Sequence, residues 1–274
     1  MSEDVPDLST VRRSTPPAMP ADQSAPSVAT ALSTTPRLFV DADLSLGGII
    51  VLPPAASHYL TQVMRRTAGD SVRLFDDRSG EWHARIVTPH RKATAVDPIE
   101  RLAPREAVAD LWLCVAPLKR GRIDWVAEKA CELGVARLVP VLTARTVVDK
   151  LNLDRLHAHM VEAAEQCGRT TLPALAAPLT LAALLLSWDP GRTLIFADET
   201  GGVPLAAALR NAPAPAAILI GPEGGFTADE RAMIRALPQT VAVSLGPRIL
   251  RADTAAVATV SVWQAVIGDR RHDG

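Results

Sequence analysis

Hydrophobic and polar positions follow two different periods along this chain, and the change falls near residue 108. Before it the apolar runs are short. Val72–Phe75 and Trp82–Val87 alternate between two faces, and Asp76-Asp77-Arg78-Ser79-Gly80 between them is turn chemistry, which predicts a hairpin. Leu60, Val63 and Met64 recur at helical spacing and predict a short helix over Ser57–Arg66. With a start at Arg37-Leu38-Phe39-Val40, these signals predict a small, mostly β unit over 36–105, bounded by Pro98, Pro104 and the charged stretch between them. After 108, Leu111–Ala116 is continuously apolar, as in a strand buried on both faces. Ile123, Val126, Ala127, Ala130 and Leu133 then share one helical face, closed by Gly134, and Arg137–Leu142 is again apolar. Helices are predicted at about 154–167, 180–187 and 254–267, and strands at 193–197, 216–220 and 240–245. Thr227-Ala228-Asp229-Glu230 is a capping box that opens one more helix, to about 236. The alternation predicts an α/β unit over 106–274 with a mainly parallel sheet covered on both faces.

Composition narrows the class. Residues 1–35 are rich in Ser, Thr, Pro and Ala and carry too few large apolar groups to offset their ordering entropy, so a disordered extension is expected there. The formal net charge of −1 makes the whole molecule no magnet for nucleic acid, so an RNA site would need local clusters of Arg and Lys. Cys114, Cys131 and Cys167 are odd in number and form no close pair, which argues against a disulfide framework or zinc site and fits a reducing cytoplasm. The histidines have no metal-ligand spacing with them, and no Ser occupies a nucleophile elbow, so no metal is expected. No secretory signal is expected, and Ala174–Trp188, the most apolar stretch, is broken by Pro178 and too short for a membrane span.

Two segments carry candidate chemistry. In Ile218-Leu219-Ile220-Gly221-Pro222-Glu223-Gly224-Gly225-Phe226 an apolar strand runs through a glycine-rich turn into a helix N-terminus. Such turns let a ligand approach the backbone, at the carboxyl ends of strands where open α/β sheets bind ligands. Alone, the segment reads better as a tight turn with no ligand, and it lacks the Lys-Ser/Thr of a phosphate loop. Val243-Ser244-Leu245-Gly246-Pro247-Arg248-Ile249-Leu250-Arg251-Ala252-Asp253-Thr254-Ala255 repeats the architecture, so the two turns could wall one cleft with Arg251 at its rim. Read alone, Asp253 or Thr254 is a helix N-cap, and Arg248 and Arg251 are solvated charge.

Together the two segments resemble the RsmE family of SPOUT methyltransferases. Glu132-Leu133-Gly134-Val135 at the end of Lys119–Val135, Glu165-Gln166-Cys167-Gly168-Arg169, and Arg37-Leu38-Phe39-Val40 with His58-Tyr59-Leu60 and Gly69-Asp70 resemble further family segments in the same order, covering about 37–268. The resemblance implies a PUA-like β-barrel joined to an α/β domain with a deep trefoil knot, S-adenosylmethionine as cofactor, and pairing of two subunits. It also implies methylation at N3 of a uridine in 16S rRNA, with small-subunit rRNA or the 30S subunit as partner. By motif, the cofactor loops are Ile220, Gly221, Pro222, Glu223, Gly224 and Gly225, then Leu245, Gly246, Arg248, Ile249 and Leu250, with Ala197-Asp198-Glu199 as a third loop.

The implied reaction needs a proton acceptor and a cation for the charge that develops on O2 and O4. Arg251 is the expected cation with Arg169 nearby, and Asp253 the expected base, standing where members usually carry Glu. Thr143-Ala144-Arg145-Thr146 replaces a usual Ser/Thr-Glu-Arg-Ser, and Asp124 stands where Glu is common. Residues 36–105 hold ten Arg or Lys against eight Asp or Glu, so phosphate contacts are expected from clusters: Arg37, Arg65-Arg66, His90-Arg91-Lys92, and Lys119, Arg120 and Arg122. Each of these also reads as ordinary solvated charge. Two alternatives remain open: a SPOUT methyltransferase acting on another RNA target, ribose 2′-O or another base, and a non-catalytic RNA-binding assembly factor.

Overall fold

The computed structural model describes residues 34–119, 121–148, 150–212 and 214–268. The expected N-terminal extension therefore lies almost wholly outside the described residues, as does Arg120.

The first sheet contains β1 (Arg37–Phe39), β2 (Ile50–Val51), β3 (Ser71–Phe75), β4 (Glu81–Thr88) and β5 (Ala95–Ala103) in the order β1-β3-β4-β5-β2. The predicted hairpin is β3–β4, and Asp76 closes it by accepting from the amides of Arg78 and Ser79 at 3.0 and 2.7 Å. Register shifts between β4 and β5 leave extra residues on one strand, which curls the sheet around Leu60, Val72, Leu74, Ala84, Ile86 and Val96. The expected barrel is thus a curled sheet, with β1 and β2 as its end strands.

Two element ends differ from the pattern's expectation. Pro98 lies inside β5, because β2 pairs only with Ala95 and Val96 and leaves no ladder partner for the missing N–H. The helix expected over Ser57–Arg66 is α1 (Pro54–His58) followed by a π-turn over Tyr59–Val63, and it stops at Arg65, whose φ is +53°.

The second sheet is wholly parallel. It contains β6 (Leu111–Val115), β7 (Arg137–Leu142), β8 (Ala174–Leu175), β10 (Thr193–Ala197), β11 (Val203–Pro204), β12 (Ala216–Ile220) and β13 (Thr240–Ser244) in the order β11-β13-β10-β12-β6-β7-β8, and β9 (Leu179–Thr180) pairs with β7. The helices are α2 (Arg122–Glu132), α3 (Leu153–Cys167), α4 (Leu181–Leu186), α5 (Leu205–Ala208), α6 (Ala228–Ala236) and α7 (Ala252–Val266). Alternate strand residues feed opposite faces. Leu111, Leu113, Val115, Ile195 and Ile218 pack under α2, α3 and α7, whose Trp263 is fully buried, while Cys114, Leu194, Phe196 and Leu219 pack under α4 and α6. The last helix begins at Ala252, earlier than expected. Its N-cap is Arg251, which makes no side-chain capping bond, so neither Asp253 nor Thr254 is a cap.

The two units meet along β1, β3 and α3. Arg37 donates to the carbonyls of Ala164 at 2.6 Å and Arg169 at 2.5 Å, pairs with Glu81 at 3.2 Å, and lies 3.9 Å from the centre of the Phe75 ring. The Phe39 amide donates to Glu165 at 2.9 Å. Arg37, expected on the RNA surface, is therefore a buried joint between the units. Its fork of donors satisfies the Arg169 carbonyl just past α3 and adds a second donor to the Ala164 carbonyl, which already accepts the Gly168 amide at 3.1 Å.

Candidate functional site

Because β13, β10 and β12 lie side by side and parallel, their carboxyl ends and the loops that follow them converge. They enclose a hollow of about 290 Å³, the lower end of the range for small-molecule sites. Ala197, Asp198 and Glu199 line it after β10; Ile220, Gly221, Pro222, Glu223, Gly225 and Phe226 after β12; and Ser244, Leu245, Gly246, Pro247, Arg248, Ile249, Leu250 and Arg251 after β13. The two glycine turns are therefore the facing walls of one cavity.

Local chemistry fixes the β12 turn. At Gly221 a Cβ would stand 2.7 Å from the Phe226 ring, which itself packs edge-on against Phe196 at 5.3 Å. Gly225 has φ +66° and donates its amide to the Pro222 carbonyl at 2.9 Å. The capping box then starts α6: the Glu230 amide donates to Thr227 Oγ1 at 3.2 Å, and the Thr227 amide to Glu230 Oε2 at 2.9 Å.

Charge is concentrated on the β10 side. Burial alone would push the Asp198 carboxyl up, but donation from the Thr200 amide and hydroxyl and from Arg235 outweighs it and holds the group below the usual carboxylate range. Arg235 reaches Asp198 Oδ2 at 2.6 Å, and Arg231 lies 3.5 Å from Asp198 Oδ1 while also pairing with Glu199. Arg231 lines the hollow, although the sequence reading did not single it out. A charged residue on the first turns of an amphipathic helix reads as a solvated face, and only the return of α6 over β10 brings it to the cavity.

Of the expected cofactor residues, all but Gly224 line the hollow; Gly224 turns outward against Arg145. Arg251 is exposed on the rim. Asp253 is not on the wall: its carboxylate lies 3.7 Å from Arg122 and accepts the Thr254 amide at 2.9 Å. The residue expected as base is thus held beside the hollow rather than on its wall. The expectation for Arg169 is overturned. It is buried, with its guanidinium committed to Glu106 at 2.8 Å, the Cys131 carbonyl at 2.7 Å and Thr171 at 2.7 Å, so it cannot attend a substrate.

Among the RNA candidates, Arg65, Arg91, Lys92 and Lys119 are exposed and Arg66 is half-buried. Arg122 is held at the cavity edge between Glu223 at 3.8 Å and Asp253. Among the described residues no group of three or more His, Cys, Asp or Glu could hold a metal ion, and no helix is long and apolar enough to cross a membrane.

Comparison with known proteins follows the same division. Residues 104–264 match the RNA methyltransferase domain family and residues 52–97 the RNA methyltransferase PUA domain. The chain is 30% identical to ribosomal RNA small subunit methyltransferase E of Rickettsia conorii over 74% of this chain and 84% of that protein. It is also 30% identical to the protein of that name from Synechocystis, over 84% of this chain and 78% of the other. The crystal structure of ribosomal RNA small subunit methyltransferase E from Neisseria gonorrhoeae, bound to S-adenosyl methionine, superposes with a TM-score of 0.77 at 26% identity, covering 86% of this chain and 99% of that one. With a parallel sheet, converging glycine turns and a curled N-terminal sheet in the family's order, the chain belongs to the RsmE family of ribosomal RNA methyltransferases.

Proposed function

We propose that this chain transfers the methyl group of S-adenosylmethionine to N3 of a uridine in the 16S rRNA of the small ribosomal subunit. The observation that carries this reading is the single hollow walled by both glycine turns, in which main-chain polar groups alternate with the apolar side chains of Ile220, Leu245, Leu250 and Ala255. Such a mixed lining suits a nucleoside, which offers hydrogen-bonding edges and a flat apolar face. The Glu199 and Glu223 carboxylates, which keep part of their surface open beside the hollow, suit a ligand that carries positive charge. When bound, the cofactor supplies an electrophilic methyl group on sulfur; the new N–C bond forms as the C–S bond breaks, and the electron pair of that bond goes to sulfur.

The chain's own task is positioning and charge. Arg251, exposed on the rim beside the hollow, stabilises the anionic uracil whose charge lies on O2 and O4. With Asp253 paired to Arg122, the N3 proton leaves to water at the open rim. In this reading residues 36–105 dock the RNA, through Arg65, Arg91 and Lys92, and residues 106–274 hold the cofactor. The deep knot and the pairing of two copies in the cytoplasm belong to the same proposal. The return of the chain from β13, beyond β10, to pack α7 against β12 and β6 supports the knot.

The test is methylation of 30S subunits that lack the modification, followed by mass spectrometry of the nucleosides. 3-Methyluridine is expected. A ribose-methylated or differently methylated base would move the target, and a chain that binds no S-adenosylmethionine in calorimetry would be a non-catalytic RNA-binding protein.

A further inference from the structure

Gly224 belongs to the glycine-rich turn but faces away from the hollow, and the Thr143–Thr146 segment lies on a different loop, 78 residues earlier at Thr146. The structure joins them. The segment is a turn in its own right: the Thr143 amide donates to Thr146 Oγ1 at 2.9 Å and the Thr146 amide to the Thr143 carbonyl at 3.1 Å. It projects Arg145 over the outer surface of the β12 turn. Arg145 Nη1 donates to the Gly224 carbonyl at 2.7 Å and to the Phe226 carbonyl at 3.4 Å. A Cβ on residue 224 would stand 3.4 Å from both Cβ and Cδ of Arg145, already in van der Waals contact, so the arginine stem lies directly over this residue and leaves no room for a larger side chain. Next to it, the Ala144 amide donates to Glu230 Oε1 at 2.7 Å, the capping-box carboxylate whose other oxygen holds Thr227.

We infer that Arg145 is a positioning residue for the cofactor turn: by holding the Gly224 and Phe226 carbonyls from outside, it fixes the two residues that line the hollow from inside, Gly225 and Phe226. The Gly224 and Phe226 carbonyls mark the peptide planes on either side of that pair, and a plane fixed by its oxygen cannot rotate. A charged donor is suited to the task, since bonds from a guanidinium to carbonyls are shorter and stronger than neutral ones, and one forked group can reach two acceptors. The turn is thereby shaped before the ligand arrives, which lowers the ordering cost of binding. The inference rests on the reading of the hollow as the S-adenosylmethionine site.

Its signature is a split between affinity and turnover. At saturating cofactor the ligand itself orders the turn, so Arg145→Ala raises the S-adenosylmethionine Kd and KM about tenfold and changes kcat less than about twofold. Arg145→Lys, with one compact donor in place of the fork, recovers part of the loss. Gly224→Val, whose branches extend past a Cβ already in contact with the stem, displaces the arginine and weakens binding in the same direction, yet adds less than about twofold in the Arg145→Ala background, because both changes remove the same clamp.

The experiment titrates the full-length wild type and these four variants with S-adenosylmethionine by calorimetry and measures kcat and KM on unmodified 30S subunits, with thermal unfolding alongside. Absence of binding by the wild type would overturn the reading of the hollow and this inference with it. Wild-type binding with an Arg145→Ala Kd within twofold, or full additivity of Arg145→Ala and Gly224→Val, would overturn the inference alone. If Arg145→Ala fails to fold, Arg145→Lys and Gly224→Val decide: unchanged affinity in both counts against the clamp, and weakened affinity at unchanged melting temperature supports it.

Discussion

Replacing Arg37 by methionine tests how the curled sheet is tied to the parallel one. Methionine keeps the unbranched stem over Phe75 and removes the guanidinium. The change leaves the Arg169 carbonyl without its donor, leaves the Ala164 carbonyl with the Gly168 amide alone, and strips Glu81 of one of its two partners. Breaking a buried ion pair by removing one side costs about 3–5 kcal/mol. Glu81 retains Arg73 at 3.1 Å, and Arg73 is partly open to solvent, so the lower end applies and the expected loss is about 3 kcal/mol. The assay is urea unfolding followed by tryptophan fluorescence. Trp82 belongs to the first core and Trp263 to the second, so the titration is fitted with and without an intermediate in which the first unit opens alone. Arg37→Lys is the control; it restores charge without the fork and recovers only part of the loss. None of the groups around Arg37 lines the hollow, so S-adenosylmethionine affinity stays within twofold in both variants, while KM for the 30S subunit rises as the docking sheet loses its fixed orientation. A loss below about 1 kcal/mol, the value of a surface pair, would refute the claim that this guanidinium is the joint.

Further outcomes are expected at the hollow. Arg251→Ala lowers kcat on 30S subunits by about 10²–10³-fold, the usual effect of removing one donor to a developing anion, with the S-adenosylmethionine Kd little changed. Asp253→Asn, in contrast, keeps kcat within about fivefold; a loss as deep as that of Arg251→Ala in single-turnover assays would restore Asp253 as the base. Gly221→Ala drives a Cβ into the Phe226 ring, which is pinned on Phe196, and destabilises by about 1–3 kcal/mol in thermal unfolding; no change in melting temperature would show that the ring yields freely. Because the Asp198 carboxyl titrates below its unfolded value near 4, its stabilisation is complete above that pH and is lost as pH falls through the native value. The stability gap between wild type and Asp198→Asn therefore narrows from pH 7 to pH 3 in urea titrations, and a constant gap would contradict this sign.

How much of this could be read from the chain depends on whether the cause is local. Strands such as Leu111–Val115 and Ala216–Ile220 are buried on both faces and announce themselves as apolar runs, and the Thr227–Glu230 box is a four-residue device whose partners are all in view. The cofactor walls were legible as strand-end turns, but as a ligand site only through the two segments taken together and the family they resemble, since either glycine turn alone reads as a plain bend. What escaped depends on distant partners. The two-residue strands β2, β8, β9 and β11 exist only because a longer neighbour offers a ladder edge. Arg37 and Arg169 read as surface cations because arginine is rarely buried, and the carbonyls that hold them lie 127 and 38 residues away.

The same distinction sorts the arginines of this chain by task. A buried guanidinium whose donors all meet carbonyls or carboxylates has nothing left for a substrate, which removes Arg37 and Arg169 from the candidate site. Arg145 spends its donors on the outside of the cavity wall, and Arg231 spends its own on the carboxylates inside. Arg251 stands exposed at the N-cap of α7 with no capping bond of its own, and Arg248 stands exposed on the same wall. Partner geometry thus leaves these two, among the described arginines of the hollow, with donors to offer a ligand, and the place of Arg251 at a helix start, where negative charge is favoured, is the ground for proposing it as the cation that meets the uracil.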